Sequence, residues 1–375
     1  MVKYLFNKTI IVVVLIGILC PCLTLAQIDT GEEVVEAVVT RVLEEKELTR
    51  DDGSSYSQQN LKLKGLDGEW KDQEFTFEGI SDLEVVSANI YEEGDKVLVN
   101  VSQDIEGNNV FYVFDYIRRG QLIWLAIIFS LVIILIGGWK GFRSLISLLL
   151  TFLVILKFIV PQILNGNNPI LIGAVGAFFI LVLIIYVTEG LNRKSHLAVI
   201  SILISISITG LLSLLFTSLT KLTGMAQEEV MFLVGFGKSA IDFRGLLLAA
   251  IMIGTLGVLD DVVISQIETV RQIKSANSNL SQREVFKKAF QVGKSHMGSM
   301  VNTLFLAYAG ASLPLLLLFS LKEPPFASFG MVINSEIIAT EIVRTLVGSV
   351  GLALAVPIAT YLACRHISIN KEKNA

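Results

Sequence analysis

Histidine and cysteine are nearly missing from this chain, with three of each among 375 residues. Three histidines exclude a His-rich metal centre, and Cys20, Cys22 and Cys364 are too few and too scattered to frame a disulfide scaffold. Also absent are a phosphate-binding loop, a paired Cys-x-x-Cys and a His-Glu-x-x-His. The Leu-Asp-Asp run at 259–261 does not match the Gly-x-Gly-Asp or serine-based patterns of intramembrane proteases. The chain therefore reads as a non-enzyme, with no catalytic residue, no cofactor, no metal site and no nucleic-acid partner expected. Charge is scarce as well, at 17% of residues.

What fills the chain instead is apolar. Hydrophobic residues make up 53% of it and the mean hydropathy is +0.67, which places it among membrane proteins before any motif is read. Its few charges are unevenly spread. Residues 27–120 carry 22 of the 34 acidic side chains and only 9 of the 30 Lys and Arg, a net charge near −13 against about +9 for the remainder. Two bodies in different surroundings follow, one soluble and acidic, one embedded and basic at its edges.

Lys3 and Lys8 precede an apolar stretch from Ile10 to Leu19, and Thr24-Leu25-Ala26 offers small residues at a cleavage site. Residues 1–26 thus read as a signal peptide or an uncleaved anchor, and residues 27–120 are expected outside the cytoplasm. That segment alternates with a period of two: Val34, Val35, Val38 and Val39, then Leu61 with Leu63, Phe75 with Phe77, and Val97, Val99 and Val101. About five strands predict a small extracytoplasmic all-β domain, an OB-like barrel or a sandwich.

From Leu122 onward the pattern is that of an α-helical polytopic membrane protein. Seven spans are expected within a 121–367 domain, at 121–138, 143–163, 169–189, 196–219, 245–267, 298–320 and 340–364, each near the ~20 residues that cross a hydrocarbon core. The intervening loops fit the positive-inside rule: Lys140, Arg193, Lys194 and the 268–297 segment, with Arg271, Lys274, Arg283, Lys287, Lys288 and Lys294, fall on the cytoplasmic side. The tail 368–375 falls there too. Ser281-Gln-Arg-Glu284 is a capping-box pattern that opens a basic helix. The outer loop 220–244 contains the short apolar run Val230–Val234, which lies on the membrane or re-enters it.

Asp260 and Asp261 stand inside the fifth span. A charge at membrane depth is disfavoured by roughly 2.5 kcal/mol or more, so such residues mark function by default. Asp260 is 15 residues in from the outer face, about 22 Å at 1.5 Å per residue. This places it in the cytoplasmic half, where a carboxylate removed from water can take up and release a proton. The alternative is that the span ends near Leu259 and the pair caps it in water. Gly254, Thr255 and Gly257 would let a neighbouring helix pack closely. Asn302 and Thr303 in the sixth span fall at similar depth, His296 opens that span and Glu189 marks the inner edge of the third, so all four are candidates to share a polar cavity with the aspartates. On the outer side Glu341 and Arg344 are spaced to pair as i,i+3.

Several of these runs together resemble the YibE/F-like bacterial membrane proteins: Asp115-Tyr-Ile-Arg-Arg119, Trp139-Lys-Gly-Phe-Arg143, Gly254 to Asp261, Gly293-Lys-Ser-His296, Asn302-Thr-Leu304, and Asn334-Ser-Glu336 through Arg344. The resemblance runs from about residue 30 to 365. It implies a multi-pass protein of the bacterial plasma membrane, and it carries no established activity. Over about 65 residues, Asp260-Asp261, Gly293, Asn302-Thr303 and Pro314 are also similar to the proton-relay helices of resistance-nodulation-division exporters. In that family the paired aspartates carry protons. Those exporters hold twice as many spans per chain, which here implies a homodimer. The function expected is proton-coupled transport or export of an unknown small solute or ion across the lipid bilayer. The alternative is a non-transporting membrane subunit that assembles or regulates a partner complex.

Overall fold

The computed structural model describes residues 33–49, 53, 55–80, 89–104, 107–236, 241–322 and 326–367. The expected signal peptide or anchor over 1–26 and the tail 368–375 lie outside the described residues. The chain divides into two units, the first ending at Val132 and the second beginning at Ile133.

The first unit is a single antiparallel sheet. Its strands are β1 (Glu33–Thr49), β2 (Ser55–Gly65), β3 (Glu74–Glu78), β4 (Lys96–Gln103) and β5 (Asn109–Tyr116), in the order β3-β2-β1-β4-β5. The alternation seen in the sequence sets the core, because successive side chains of a strand point to opposite faces. Val35, Val39, Leu61, Leu63, Val97, Val99 and Val101 are buried, and Val34 faces out. Register shifts in β1 between Val39 and Arg41 and between Val42 and Glu44 mark bulges, which increase the local bend. The two edge strands meet over this core. Phe75 of β3 stacks on Phe111 of β5 at 4.2 Å between ring centroids, and Trp70 packs edge-on against both. Gln59 closes the bottom by exchanging two hydrogen bonds with the Tyr91 backbone: its amide donates to the Tyr91 carbonyl at 3.2 Å and accepts from the Tyr91 N–H at 2.7 Å.

The helices are α1 (Arg119–Val154), continued through a π turn (Ile155–Ile159) into α2 (Val160–Leu164), then α3 (Pro169–Glu189), α4 (Arg193–Leu219), α5 (Glu228–Gly235), α6 (Phe243–Ala276), α7 (Gln282–Ala311), α8 (Leu313–Ser320), α9 (Phe329–Asn334) and α10 (Glu336–His366). Among the described residues five stretches are long and apolar enough to cross a membrane: Arg119–Leu164, α3, α4, α6 and α10. The bent pair α7 and α8 makes six if it is one crossing.

Two sequence expectations change, and one boundary falls where the sequence placed it. Between the spans expected at 121–138 and 143–163, α1 is kinked at Gly138, at φ 54° and ψ −135°, into two helices, and a Cβ on Gly141 would stand 2.2 Å from the Ile133 carbonyl oxygen. The Gly138 backbone conformation is open to glycine and strained for other residues. The sixth span is broken: α7 and α8 meet at 66°, with Pro314 at the start of α8, because proline lacks the N–H that would continue the ladder and clashes with the preceding turn. The basic helix capped by Ser281 and Glu284 is not separate but runs straight into the apolar part of α7. The capping box itself forms.

α6 and α10 sit at the centre of the second unit. α10 packs on α4, α6 and α7, and α6 packs on α3, α4, α7 and α10. Small residues allow these approaches, the expected device where lipid removes any hydrophobic drive between helices. A Cβ on Gly173 of α3 would stand 2.5 Å from that of Ala249 on α6. Along α4, Ser201, Ser205, Thr209, Ser213 and Thr217 recur every fourth residue on one fully buried face.

Candidate functional site

α6 is amphipathic in an unusual sense. Leu259, Val262, Val263, Gln266, Ile267 and Val270 are buried against neighbouring helices. The opposite stripe, Gly257, Asp260, Asp261, Ile264, Ser265 and Glu268, lines a cleft of about 810 Å3. The helix continues unbroken to Ala276, so the aspartates do not cap it. Lys140, Ser144, Ser147 and Thr151 of α1 form the facing wall at spacings of four, three and four, which aligns them on one helical face. Ile184, Thr188 and Glu189 at the end of α3 complete it, together with the apolar side chains of Ile133, Ile136 and Leu148.

The ionisable groups of the cleft fall into two sets. Glu189 pairs with Lys140 at 3.6 Å, and Glu268 pairs with Lys194 at 3.0 Å and with Arg271. Asp260 and Asp261 have no ion pair among the described residues. The Asp261 backbone N–H donates to Asp260 Oδ1 at 3.0 Å. His296 of α7 lies within electrostatic reach of Asp261, and its Nδ1 is 3.3 Å from Ser265 Oγ. Two hydroxyls on the facing wall are also unsatisfied: Ser147 Oγ and Thr151 Oγ1 are buried and have no hydrogen-bond partner. Thr188, by contrast, donates to its own helix at the Ile184 carbonyl.

The structure sorts the sequence candidates. Asp260, Asp261 and Glu189 share the cleft, and His296 stands beside it. Asn302 and Thr303 do not join it. Both are exposed on α7, where Thr303 donates to the Ser299 carbonyl at 3.0 Å. Depth along the axis placed them level with the aspartates, but the cleft opens toward α1 and α3, a rotation that depth does not report. Glu341 and Arg344 pair at 3.0 Å, half-buried on α10, with the guanidinium over the Tyr308 ring. Arg344 and Thr340 line a separate cavity of about 60 Å3. Of the glycines expected to admit a helix, Gly254 approaches the Tyr308 hydroxyl, at 3.2 Å from its would-be Cβ, whereas Gly257 meets nothing within 4 Å and leaves the cleft open. The α1 hydroxyls were missed in the sequence, since three Ser and Thr in a 20-residue apolar run look like ordinary small residues; their four-three-four spacing behind Lys140 was the available signal.

A bundle of apolar helices with carboxylates lining a cleft between them, preceded by an all-β unit, defines a polytopic helical membrane protein. The YibE/F-like protein family model matches residues 125–368, and the chain belongs to that family. The match spans the helical part and leaves out the sheet. No curated protein and no solved structure matches the chain.

Proposed function

We propose that this YibE/F-like protein is a proton-coupled transporter of the bacterial plasma membrane, with Asp260 and Asp261 as the coupling carboxylates. One observation carries the reading: on a cleft wall where the other two carboxylates are ion-paired, these two are not. A carboxylate held without an ion pair in a partly desolvated cleft is suited to proton exchange. The local likeness to proton-relay helices supports the same role. The chain crosses the membrane seven times in this reading. Support comes from the glycine break at Gly138, which divides a stretch of 46 residues, far more than the ~20 needed to cross once. The sheet is an OB-like barrel in this reading, supported by the β3-β2-β1-β4-β5 order and the Phe75–Phe111 stack, and the acidic charge of residues 27–120 and the positive-inside loops argue for its place outside the cytoplasm. The protein catalyses no chemical conversion and works as a homodimer.

Reconstitution into proteoliposomes under an imposed pH gradient tests the proposal. Wild type should conduct protons, and Asp260→Asn and Asp261→Asn should lose most of that flux; equal flux in all three sinks it. A second reading, a membrane subunit that holds a partner, is favoured by the apolar side chains Val34, Tyr112 and Phe114, all more than half exposed. Purification from native membranes decides between the two, since that role requires a stoichiometric partner on the sheet.

A further inference from the structure

The size and walls of the cleft carry more than a proton site needs. A proton requires only the carboxylates and a water path, yet about 810 Å3 stands open beside them. This lies within the roughly 300–1,000 Å3 typical of small-molecule sites, which are mostly apolar with a few placed polar groups. The cleft has that character, with Ile133, Ile136, Leu148, Ile184 and Ile264 around a narrow polar rail.

The polar groups define the ligand's chemistry. Asp260 and Asp261 supply negative charge that no ion pair neutralises among the described residues, with Lys140 of the same cleft paired to Glu189 and His296 within electrostatic reach of Asp261. Across from them Ser147, only 3% exposed, has an Oγ with no partner, and Thr151 Oγ1 is in the same state. Buried hydroxyls are almost always satisfied, so orphans on a cleft wall point to an absent partner. A hydroxyl accepts from an N–H, and an ammonium has three to give. A bare metal ion fits less well: among the described residues no three His, Cys, Asp or Glu converge to hold one. Gly257, with nothing within 4 Å of its would-be Cβ, keeps the space next to the carboxylates free.

We propose that the cleft between α1, α3 and α6 binds a primary ammonium group carried on an apolar body, with Asp260 and Asp261 as counter-charge and Ser147 as hydrogen-bond acceptor. This names the substrate class for the transport reading and rests on it for its physiological meaning. Two sources share the chemistry, a free amphipathic amine and the headgroup of an aminophospholipid.

The test is calorimetric titration of the full-length protein in phosphatidylcholine nanodiscs, with 2-phenylethylamine as probe and 2-phenylethanol as its neutral counterpart. Wild type should bind the amine and not the alcohol. Asp260→Asn combined with Asp261→Asn should weaken binding about tenfold or more, and Ser147→Ala about threefold to tenfold, the range of charged and neutral hydrogen bonds. Repeating the titration with phosphatidylethanolamine in the disc separates the sources: competition assigns the site to the lipid headgroup, and unchanged affinity assigns it to the free amine. Equal binding of amine and alcohol to wild type overturns the proposal, as does no binding of the amine in either disc. Because the alcohol comparison uses wild type alone, it holds even if a variant misfolds. Proton flux measured without amine distinguishes this proposal from the transport reading: aspartate-dependent flux with no amine binding defeats only the ligand, and amine binding without flux defeats only the transport.

Discussion

Gln266 of α6 donates to Thr360 Oγ1 of α10 at 2.7 Å and, through its other N–H, to the Ala289 carbonyl of α7 at 2.8 Å. One buried amide thus joins three helices on the face of α6 opposite the cleft. Its fit depends on Gly293, where a Cβ would stand 2.7 Å from Gln266 Oε1. With the back of α6 fixed in rotation, the stripe bearing Asp260 and Asp261 is held toward α1 and α3.

Replacing that amide removes two donors from buried acceptors. Gln266→Leu should destabilise the helical unit by about 1–2 kcal/mol, between the values for buried hydrogen bonds in water-soluble proteins and in membranes. Thermal unfolding in detergent reads this, and a midpoint equal to wild type would show that the amide holds nothing.

The contact between α4 and α10 is tighter. A Cβ on Gly351 would lie 2.0 Å from Thr209 Oγ1, and Thr209 is fully buried. Gly351→Ala should lower stability by about 1–3 kcal/mol through overpacking. Adding Thr209→Ala should recover part of the loss, because it removes the clashing oxygen. Strictly additive losses in this double-mutant cycle would disprove the contact.

Gly257 makes the opposite prediction. Its would-be Cβ meets nothing within 4 Å, and the residue lines the cleft. Gly257→Leu should fold at least as well as wild type, since a helix-interior glycine is worse than leucine by roughly 0.5–1 kcal/mol. The leucine should fill space beside the aspartates and abolish binding of 2-phenylethylamine. A variant that binds as wild type does would show that ligands do not use this part of the cleft.

In the sheet, Phe75 is 7% exposed and stacks on Phe111 where the edge strands meet. Phe75→Ala should cost the β-unit about 3–5 kcal/mol. Limited proteolysis of the whole protein should then cut within residues 33–117 first, while the helical unit keeps its protease resistance. Simultaneous loss of both would mean the two units unfold as one.

The β-unit was readable from side-chain alternation because a strand has a period of exactly two residues: Leu61 with Leu63, and Val97, Val99 and Val101, could only share a face. Strand order was not, since β1 pairs with β2 as a local hairpin but also with β4, through contacts about sixty residues distant in sequence such as Glu33 with Val101.

The sequence by itself determined that the chain is a membrane protein, that an acidic β-segment precedes the apolar helices, and that Asp260 and Asp261 stand within one of them. Those conclusions rest on hydropathy, charge and run length, which are local properties. Only the tertiary structure decided what the aspartates face. Helical rise gives depth, and by depth Asn302 and Thr303 belonged with them; rotation about the axis set them apart and put Ser144, Ser147 and Thr151 across the cleft instead. That rotation is fixed by packing of Gln266, Gly293 and Thr360 between three helices, and the local sequence pattern of α6 does not say which helices stand across from its polar stripe.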